Sequence, residues 1–322
     1  MSLLEIDIRE HLGKENQLMK LDKLLNWEKI NMEIEDVHGH LGRKGYPVHK
    51  MFKILLLQAW HSQSDPGMEA SLKVRLDFLR FVGFTLGEKL PDDTTICKFR
   101  NKLIKQGKYD KLLKEINSQL EEMGLKIKEA KEAIVDATIV RSAARPNRRY
   151  KESQEADKYE KEESKDEDAR WLKKGKRCYF GYRCFANVDK EGYINKGYAV
   201  PANAAETKEF CRITKDTTER SRVYTDKGFC SKENRINLKN SNKKNGIMYK
   251  ESKNSKLSFW QKRFNKIIAK TRWVVEQTFG TMKRKFNFER ASYFTSDKVT
   301  SQFIMKSICI NLLKAINKVS LV

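Results

Sequence analysis

Several features that assign many chains to a familiar class are missing from these 322 residues. No uninterrupted apolar stretch approaches the roughly 18 residues of a membrane-spanning helix, so we expect no membrane segment. Glu5 and Asp7 interrupt the start of the chain too early for a secretory signal peptide. The six cysteines form no Cys-x-x-Cys pair, so a disulfide framework is not expected and the thiols suit a reducing cytoplasm.

Catalytic histidines and nucleotide-binding motifs are missing from the later part of the chain. All five histidines lie within the first 61 residues, which disfavours a Ser-His or Cys-His triad built in the second half. No Gly-x-x-x-x-Gly-Lys-Ser/Thr sequence occurs, so nothing supports ATP hydrolysis. The sequence therefore points to chemistry carried by other residue types.

Positive charge is what the chain has in excess, with a net charge of +23. Residues 1–128 hold 22 Lys and Arg against 19 Asp and Glu, whereas residues 129–322 hold 44 against 24. Excess lysine can serve solubility alone, but its segregation into one half favours a polyanionic partner, because neutralised phosphates release counterions. Nucleic acid is the first candidate. An anionic membrane surface is the second, and the sequence has no separate basic amphipathic helix to bind one.

The spacing of apolar residues predicts an all-helical region, 1–128, followed by a mixed α/β region, 129–322. In the first region apolar residues recur every three or four positions, and one helix is expected to begin near Asp93. In the second region we predict strands at 133–140, 178–188, 193–200, 222–225 and 245–249, and helices at 204–217, 257–282 and 304–319. A charged insertion is expected at about 145–175. This order predicts a mixed sheet with helices packed on it.

The long helix at 257–282 carries an apolar stripe that is predicted to face the core. Its members are spaced three or four residues apart, and they are Trp260, Phe264, Ile267, Ile268, Thr271, Val274, Val275, Thr278 and Met282.

Three acids in the basic half lie within or next to apolar segments, where a carboxylate is unexpected. Asp136 lies inside an apolar strand, where an isolated carboxylate is costly unless it is paired or binds a metal. Asp226 ends another apolar strand, and Glu276 lies beside the stripe of the long helix. Each has a plainer reading: Asp226 can make a turn before Lys-Gly, and Glu276 can form an i,i+4 ion pair with Arg272.

Together the three acids match the requirements of phosphodiester cleavage. That reaction uses carboxylates to hold two divalent ions about 4 Å apart, which activate water and stabilise the leaving oxygen. Arg272, Glu276 and Lys283 also project from one face of the long helix, so a carboxylate is flanked by two cations. Such a face suits a site that holds both metal and phosphate.

At these residues the chain resembles the DDE transposases of bacterial insertion sequences, in particular those of the insertion-sequence-five type. In the first region the resemblance rests on residues 42–47, 76–83 and 91–100. In the second it rests on residues 135–138, 179–182, 200–203 and 225–229. The family spacing around the third acid is Tyr, two residues, Arg, three residues, Glu, six residues, Lys. Arg272, Glu276 and Lys283 fit this spacing, whereas Ala269 replaces the tyrosine and Phe185 stands where relatives often have histidine.

The resemblance implies a catalytic half with an RNase-H-like fold. Asp136 would lie on its central first strand, Asp226 after the fourth strand and Glu276 on a following helix. The implied reaction is hydrolysis at the terminal inverted repeats, using two Mg²⁺ ions for which Mn²⁺ substitutes. The freed 3′-hydroxyl then attacks target DNA without a covalent protein–DNA intermediate.

The resemblance also implies DNA contacts and an assembly. Arg272 and Lys283 would hold phosphate, and the N-terminal helices would recognise the inverted repeats through Lys98, Arg100 and Lys102. At least a dimer is expected, because two ends must be brought together, and the enzyme is expected to act in the cytoplasm.

Three other readings of the sequence remain. Residues 36–40 superficially resemble the His-hydrophobic-His metal site of relaxase-type transposases, but Gly39 is not hydrophobic and a pair of loop histidines explains them as well. A non-catalytic DNA-binding protein descended from a transposase would keep the fold and the charge. An RNase-H-like nuclease without strand transfer would keep the three acids, and only the resemblance of the N-terminal region separates it from a transposase.

Overall fold

The structure, a computed structural model, describes residues 16–37, 45–128, 130–144, 150–152, 159–161, 164–252 and 255–319. The predicted histidine pair at 38 and 40, residues 42–44 of the first family motif and residues 145–149, 153–158 and 162–163 of the charged insertion lie outside the described residues.

Seven helices make up the described N-terminal part of the chain, as the apolar spacing predicted. They are α1 (Gln17–Leu24), α2 (Trp27–Ile34), α3 (Val48–His61), α4 (Asp65–Val74), α5 (Leu76–Val82), α6 (Asp93–Lys105) and α7 (Lys108–Glu122). The predicted start of α6 is confirmed, because the Asp92 carboxylate accepts a hydrogen bond from the backbone N–H of Thr95 at 2.7 Å. Apolar residues of each helix are buried, including Phe52, Met68, Phe78 and Ile96.

The chain forms two compact units, and the first combines Met1–Glu129 with Ile304–Val322. Residues 304–322 therefore group with the N-terminal helices, although the sequence suggested one region from 129 to 322. Two polar contacts accompany this grouping: Lys306 donates to the backbone carbonyl of Ala59 at 2.6 Å, and Asn311 donates to Asn117 at 2.8 Å. Both lysine and asparagine lie in the last helix, α11 (Ser296–Val319).

Helix α11 is the one helix among the described residues that is long and apolar enough to cross a membrane, judged by length and composition alone. Its apolar window is 89% buried inside the protein. A buried core helix passes the same test, so this feature is weak evidence for a membrane span.

The second unit, Ala130–Phe303, is built on a six-stranded sheet. Its elements are β1 (Glu132–Arg141), β4 (Arg170–Lys174), β5 (Arg177–Val188), β6 (Ile194–Pro201), α8 (Glu206–Thr214), β7 (Arg222–Thr225), α9 (Lys232–Asn240), β8 (Lys244–Ile247) and α10 (Phe259–Phe286). The predicted strands and the helices at 204–217 and 257–282 are confirmed, with ends that differ by a few residues. The last helix begins at Ser296, eight residues before the predicted start, and α9 was not predicted. A separate two-stranded sheet, β2 (Tyr150–Glu152) with β3 (Tyr159–Lys161), and the strand β4 lie within the predicted insertion.

Strand β1 is central in the sheet. It pairs antiparallel with β5 on one side and parallel with β7 on the other. Strand β6 pairs antiparallel with β5, and β8 pairs parallel with β7. The order β6-β5-β1-β7-β8 is the mixed sheet that the sequence predicted, with the RNase-H-like arrangement that the family resemblance implied.

A buried apolar cluster from the strands and from α8 and α9 forms the core on one side of the sheet. Phe185 lies within it, with its ring 5.7 Å from Tyr198 and 6.0 Å from Phe229, measured between ring centroids. The phenylalanine that departs from the family pattern is therefore a core residue.

Part of the predicted apolar stripe of α10 is wrong. Ile268, Val275, Thr278 and Met282 are buried as predicted, but Trp260 is 70% exposed and Ile267 is 53% exposed. Consecutive helical residues lie about 100° apart round the axis, and Ile267 falls on the solvent side of Ile268. The sheet side of α10 is set by Ile268, Val275, Met282 and Phe286, and the aromatic N-terminal turns lie outside that face.

Candidate active site

Strand pairing brings Asp136 and Asp226 side by side in the sheet. Residues 132–134 of β1 lie opposite 222–224 of the parallel strand β7, and the same offset places Asp226 beside Asp136 just beyond the paired segment. Neighbouring strands are about 4.8 Å apart. Asp136, inside β1, and Asp226, just after β7, therefore lie beside each other on adjacent parallel strands.

Asp136 is largely buried, with 15% of its side chain exposed. Its carboxylate accepts a hydrogen bond from the backbone N–H of Ala137 at 2.9 Å and another from Arg272 Nη2 of α10 at 2.7 Å. Burial raises the pKa of the Asp136 carboxyl, and the negative charge of Asp226 adds to this, while Arg272 opposes it. The effect of the Asp226 charge on the pKa of Asp136 is consistent with the two carboxyl groups lying close together.

Asp226 makes a tight turn as well as standing at the site. Its Oδ1 accepts a hydrogen bond from the backbone N–H of Gly228 at 2.8 Å, so the plainer reading of this acid is also correct. A Cβ on Gly228 would lie 1.6 Å from Glu206 Oε2 and 3.0 Å from Asp226 Oδ1. A side chain at position 228 would have to displace the Glu206 carboxylate, because two carboxylates converge on this turn.

Glu206 is a site residue that the sequence reasoning missed. It lies in the first turn of α8 and forms an ion pair with Arg183 of β5 at 3.0 Å. Burial raises the pKa of the Glu206 carboxyl, and the charges of Asp226 and Asp136 contribute, with Arg183 opposing. Acids are common in the first turn of a helix because they complement the helix dipole, so nothing in the sequence distinguished Glu206 as a site residue.

Glu276, the third predicted acid, lies one turn beyond Arg272 on α10. Its side chain is 64% exposed, and its Oε1 lies 3.8 Å from Arg272 Nη2 in the i,i+4 pair that the sequence also allowed. Arg272 thus stands between Asp136 and Glu276. Within the described residues no group of three or more Asp, Glu, His or Cys side chains is arranged around one point to hold a metal ion.

The donor set nevertheless fits hard divalent cations. Carboxylate oxygens are the ligands that Mg²⁺ and Mn²⁺ prefer. Arg272 already supplies a cation at Asp136, and its Nε is buried without a hydrogen-bond partner among the described residues. Because the Arg272 guanidinium leaves one donor unused, its contact with the Asp136 carboxylate is incomplete. A metal ion bound in the same place would neutralise the same negative charge.

Lys283 lies on the same helix and reaches the central strand. It donates to the backbone carbonyl of Ile139 at 3.3 Å, and burial lowers its pKa. Two cations of α10, Arg272 and Lys283, are therefore placed along β1 as the one-face spacing predicted.

The three predicted DNA-binding residues of α6 do not share a surface. Lys98 and Lys102 are exposed, whereas Arg100 is only 5% exposed and forms an ion pair with Asp65 of α4. Positions 98 and 102 repeat at four residues and face one side, while position 100 is rotated about 160° from them. Arg100 therefore holds two helices together and is removed from the set of candidate DNA contacts.

The chain is similar to known proteins along most of its length. Residues 128–312 match the family model of the transposase DDE domain, and residues 6–102 match that of a transposase domain (DUF772). The transposase for insertion sequence element IS1106 of Neisseria meningitidis serogroup B is 42% identical over 261 residues, which cover 80% of this chain and 88% of that protein. A cryo-EM structure of the piggyBac transposase synaptic complex with hairpin DNA aligns with a TM-score of 0.46 and 11% identity, over 97% of this chain and 74% of that chain.

Proposed function

Because the chain belongs to the DDE transposases, which are metal-dependent polynucleotidyl transferases, we propose that it cuts an insertion sequence at its terminal inverted repeats and joins the freed 3′-hydroxyls to target DNA. Membership in the insertion-sequence-five group is part of this proposal. The observation that carries it is the meeting of Asp136 and Asp226 on adjacent strands of the sheet, with Arg272 of α10 bonded to Asp136 at 2.7 Å.

Asp136 and Asp226 would hold two divalent ions, with Glu276 as a further ligand to one of them. The proposed ions are Mg²⁺, with Mn²⁺ as a substitute, because the donors are carboxylates. When bound, the ions supply an activated water or hydroxyl and stabilise charge on the leaving oxygen. Glu276 is exposed and its contact with Arg272 is 3.8 Å long, so its carboxylate would turn towards Asp136 once Arg272 releases it.

Besides the proposed metal ions, Arg272 and Lys283 supply positive charge at the site. Arg272 neutralises Asp136 through a single hydrogen bond, and its guanidinium can exchange that carboxylate for a DNA phosphate, to which it can donate two hydrogen bonds. Lys283 is held beside β1 by the carbonyl of Ile139, so its ammonium is positioned before DNA arrives. Both residues thus orient the scissile strand against Asp136.

End recognition is assigned to the N-terminal helices. Lys98 and Lys102 form an exposed basic pair on α6 that suits double-stranded DNA of the inverted repeats and of the target. The active form is proposed to be a homodimer or larger on DNA, acting in the cytoplasm on chromosomal or plasmid DNA. The high charge of residues 129–322 adds affinity that is independent of sequence.

The joining reaction tests this proposal. The intact protein is given a labelled fragment that ends in the element's own 3′-hydroxyl, a circular target and Mg²⁺. A labelled target molecule, absent when the fragment ends in a 3′-dideoxy sugar, is the expected product. Cleavage of uncut ends without any joined product would favour a nuclease, and end binding without cleavage would favour a non-catalytic DNA-binding protein.

A further inference from the structure

The strand β4 and the first residues of β5 form a two-stranded ribbon at one end of the sheet. Residues 170–174 of β4 pair antiparallel with residues 177–181 of β5, and Gly175 and Lys176 make the turn between them. Residues 170–177 contain five Lys and Arg and no Asp or Glu, and residues 173–178 are all exposed. We call residues 170–180 the basic hairpin. The catalytic site as described uses none of its residues.

The charges of the basic hairpin repel one another. Lys174 lies directly opposite Arg177 in the strand pairing, and like charges in that position destabilise a sheet. The cross-strand pair of Trp171 and Phe180, whose ring centroids are 5.4 Å apart, contributes in the opposite direction. Among the described residues, no ion pair is formed by the four cations nearest the turn, which are Lys173, Lys174, Lys176 and Arg177. The protein therefore keeps a cluster of positive charge here at a cost in stability.

Two acids just before the basic hairpin are bonded elsewhere. Asp166 accepts a hydrogen bond from the hydroxyl of Tyr182, and Asp168 accepts one from the backbone N–H of Ser296 at 2.7 Å. These carboxylates anchor the segment that leads into β4 and are not paired with the hairpin cations. The charge of the basic hairpin therefore favours an anionic partner from outside the chain.

Lys174 lies within electrostatic reach of the candidate site. Burial raises the pKa of the Glu206 carboxyl, and the positive charge of Lys174 is one of those that oppose the rise. Burial also lowers the pKa of the Lys283 ammonium, and the charge of Lys174 adds to that effect. Charges act over only about 10 Å at moderate ionic strength, so both effects are consistent with Lys174 lying close to the site. Strand β5 also runs unbroken from the hairpin to Ala186, which pairs with Asp136.

We propose that the basic hairpin binds the backbone of the duplex DNA that flanks the element, next to the scissile phosphate. This inference rests on the proposed function, in which the catalytic acids cut at the ends of the element. Contacts between cations and phosphate carry no sequence information, which suits a flank whose sequence depends on where the element lies. Both faces of the ribbon carry cations, with Lys173 on one and Lys174 and Arg177 on the other, because successive strand residues point to opposite faces.

The basic hairpin has the dimensions of a DNA groove. The major groove of duplex DNA is about 12 Å wide and admits a two-stranded ribbon. The five residues of β4 extend about 17 Å at ~3.3 Å per residue, which is the length of about five base pairs. The hairpin can thus reach phosphates of the first several base pairs outside the cut.

Charge and position decide against the other occupants. A second copy of the chain meeting the hairpin through a two-fold axis would bring the same cations together. An anionic lipid surface would match the charge, but it would not explain the position of Lys174 beside a site for phosphodiester cleavage. The chain's own acidic residues within 151–168 also match the charge, but Asp166 and Asp168 are bonded elsewhere.

The affinity contributed by the flank tests the inference. The full-length Asp136→Asn protein, which should leave DNA uncut, is given two duplexes with the same element end. One duplex stops at the cleavage position, and the other continues for about ten base pairs of arbitrary sequence. Lys174→Gln with Arg177→Gln should weaken binding of the flanked duplex about tenfold near physiological salt and lower the slope of log affinity against log salt by about two. Its affinity for the duplex without a flank should stay within about twofold.

A matched charge control separates the basic hairpin from general electrostatics. Lys232→Gln with Lys239→Gln removes two exposed charges of α9 and should leave both affinities and the salt slope nearly unchanged. Urea unfolding is measured for both double variants. Lys174→Gln with Arg177→Gln removes a repulsion between opposite residues, so it should be at least as stable as the parent protein.

Cys178 reports the contact directly, since it is exposed on the hairpin next to Arg177. The DNA carries an activated disulfide on a short tether from a base of the flank. A nearby thiolate attacks this disulfide, which links the protein to the DNA and releases the leaving thiol. We expect the link to form in the Asp136→Asn protein, to be lost on Cys178→Ser and to persist on Cys211→Ser, which removes an exposed cysteine of α8. The same tether placed well inside the element should give far less of it.

An equal gain in affinity from the flank with and without Lys174→Gln and Arg177→Gln would overturn the inference, as would a Cys178 link that forms equally well inside the element. Unchanged flank affinity with altered sedimentation of the variant would assign the hairpin to a second copy. Unchanged flank affinity with lost binding to anionic vesicles would assign it to a membrane, and with lost stability to the acidic residues within 151–168. Failure of the proposed function appears separately, as a protein with Asp136 in place that never cleaves, whatever its hairpin binds.

Discussion

Replacing Arg272 by glutamine tests the electrostatic account of the site. Asp136 and Arg272 are 15% and 13% exposed, and their atoms are 2.7 Å apart. Breaking a buried pair by removing one partner costs about 3–5 kcal/mol, because the other charge is left uncompensated. We expect a loss near the lower end, about 3 kcal/mol at pH 7, since both side chains keep some exposure to solvent. Glu276 adds little, because its contact is 3.8 Å long and exposed.

The loss should depend on pH in a defined direction. Burial already raises the pKa of Asp136, and removing Arg272 takes away the group that opposes this rise. A carboxyl whose folded pKa lies above its unfolded value binds more protons when folded, so stability falls as the pH rises between the two values. The penalty in Arg272→Gln is therefore complete above the folded pKa of Asp136 and disappears below the unfolded value of about 3.9.

Urea unfolding of the intact and Arg272→Gln proteins at pH 7 and near pH 4 measures this difference. Arg263→Gln, an exposed arginine on the same helix, is the control and should change stability by less than about 0.5 kcal/mol. Saturating Mn²⁺ should restore more stability to Arg272→Gln than to the intact protein, because it replaces the lost cation. A loss below about 1 kcal/mol at pH 7, or an equal loss at both pH values, would refute the reasoning.

Three further predictions concern single positions. Gly228→Ala places a methyl group 1.6 Å from Glu206 Oε2 and should weaken Mn²⁺ binding, measured by calorimetry, about tenfold. The same substitution should weaken Mn²⁺ binding less in a Glu206→Ala protein, which lacks the clashing carboxylate. The double variant Lys98→Gln, Lys102→Gln should bind DNA more weakly without unfolding. In a shift assay, the slope of log affinity against log salt concentration should fall by about two, and an unchanged slope counts against DNA binding by α6. Arg100→Gln should instead lower the free energy of unfolding by about 3 kcal/mol, since it breaks the buried pair with Asp65, and a stable variant with weakened DNA binding would contradict this assignment.

Regular patterns made most of the fold predictable from the sequence. The apolar run around Asp136 identified the central strand, and the turn residues between 188 and 193 identified the β5–β6 hairpin. The strand β4 was missed because its residues, Arg170–Lys174, are mostly charged and exposed, so they show no apolar alternation.

Contacts between distant residues were harder to predict. The pairing of Asp136 with Arg272 depends on how α10 packs on β1, and Glu206 reaches Asp226 only through the fold. Arg100 looked like a surface cation because sequence spacing does not show that Asp65 lies opposite it. Trp260 and Ile267 looked like core residues because several faces of α10 carry apolar side chains, and only tertiary packing selects one of them.

End cleavage by single-acid variants tests the central claim most directly. The intact protein and the variants Asp136→Asn, Asp226→Asn and Glu276→Gln are compared on a fragment that carries the element's ends, in Mg²⁺, with end binding measured in parallel. The account predicts that each variant binds the ends within about threefold of the intact protein and cleaves them at least about a thousandfold more slowly, a loss of about 4 kcal/mol in transition-state stabilisation. Cleavage near the intact rate by any one of the three would contradict the claim that these acids act together.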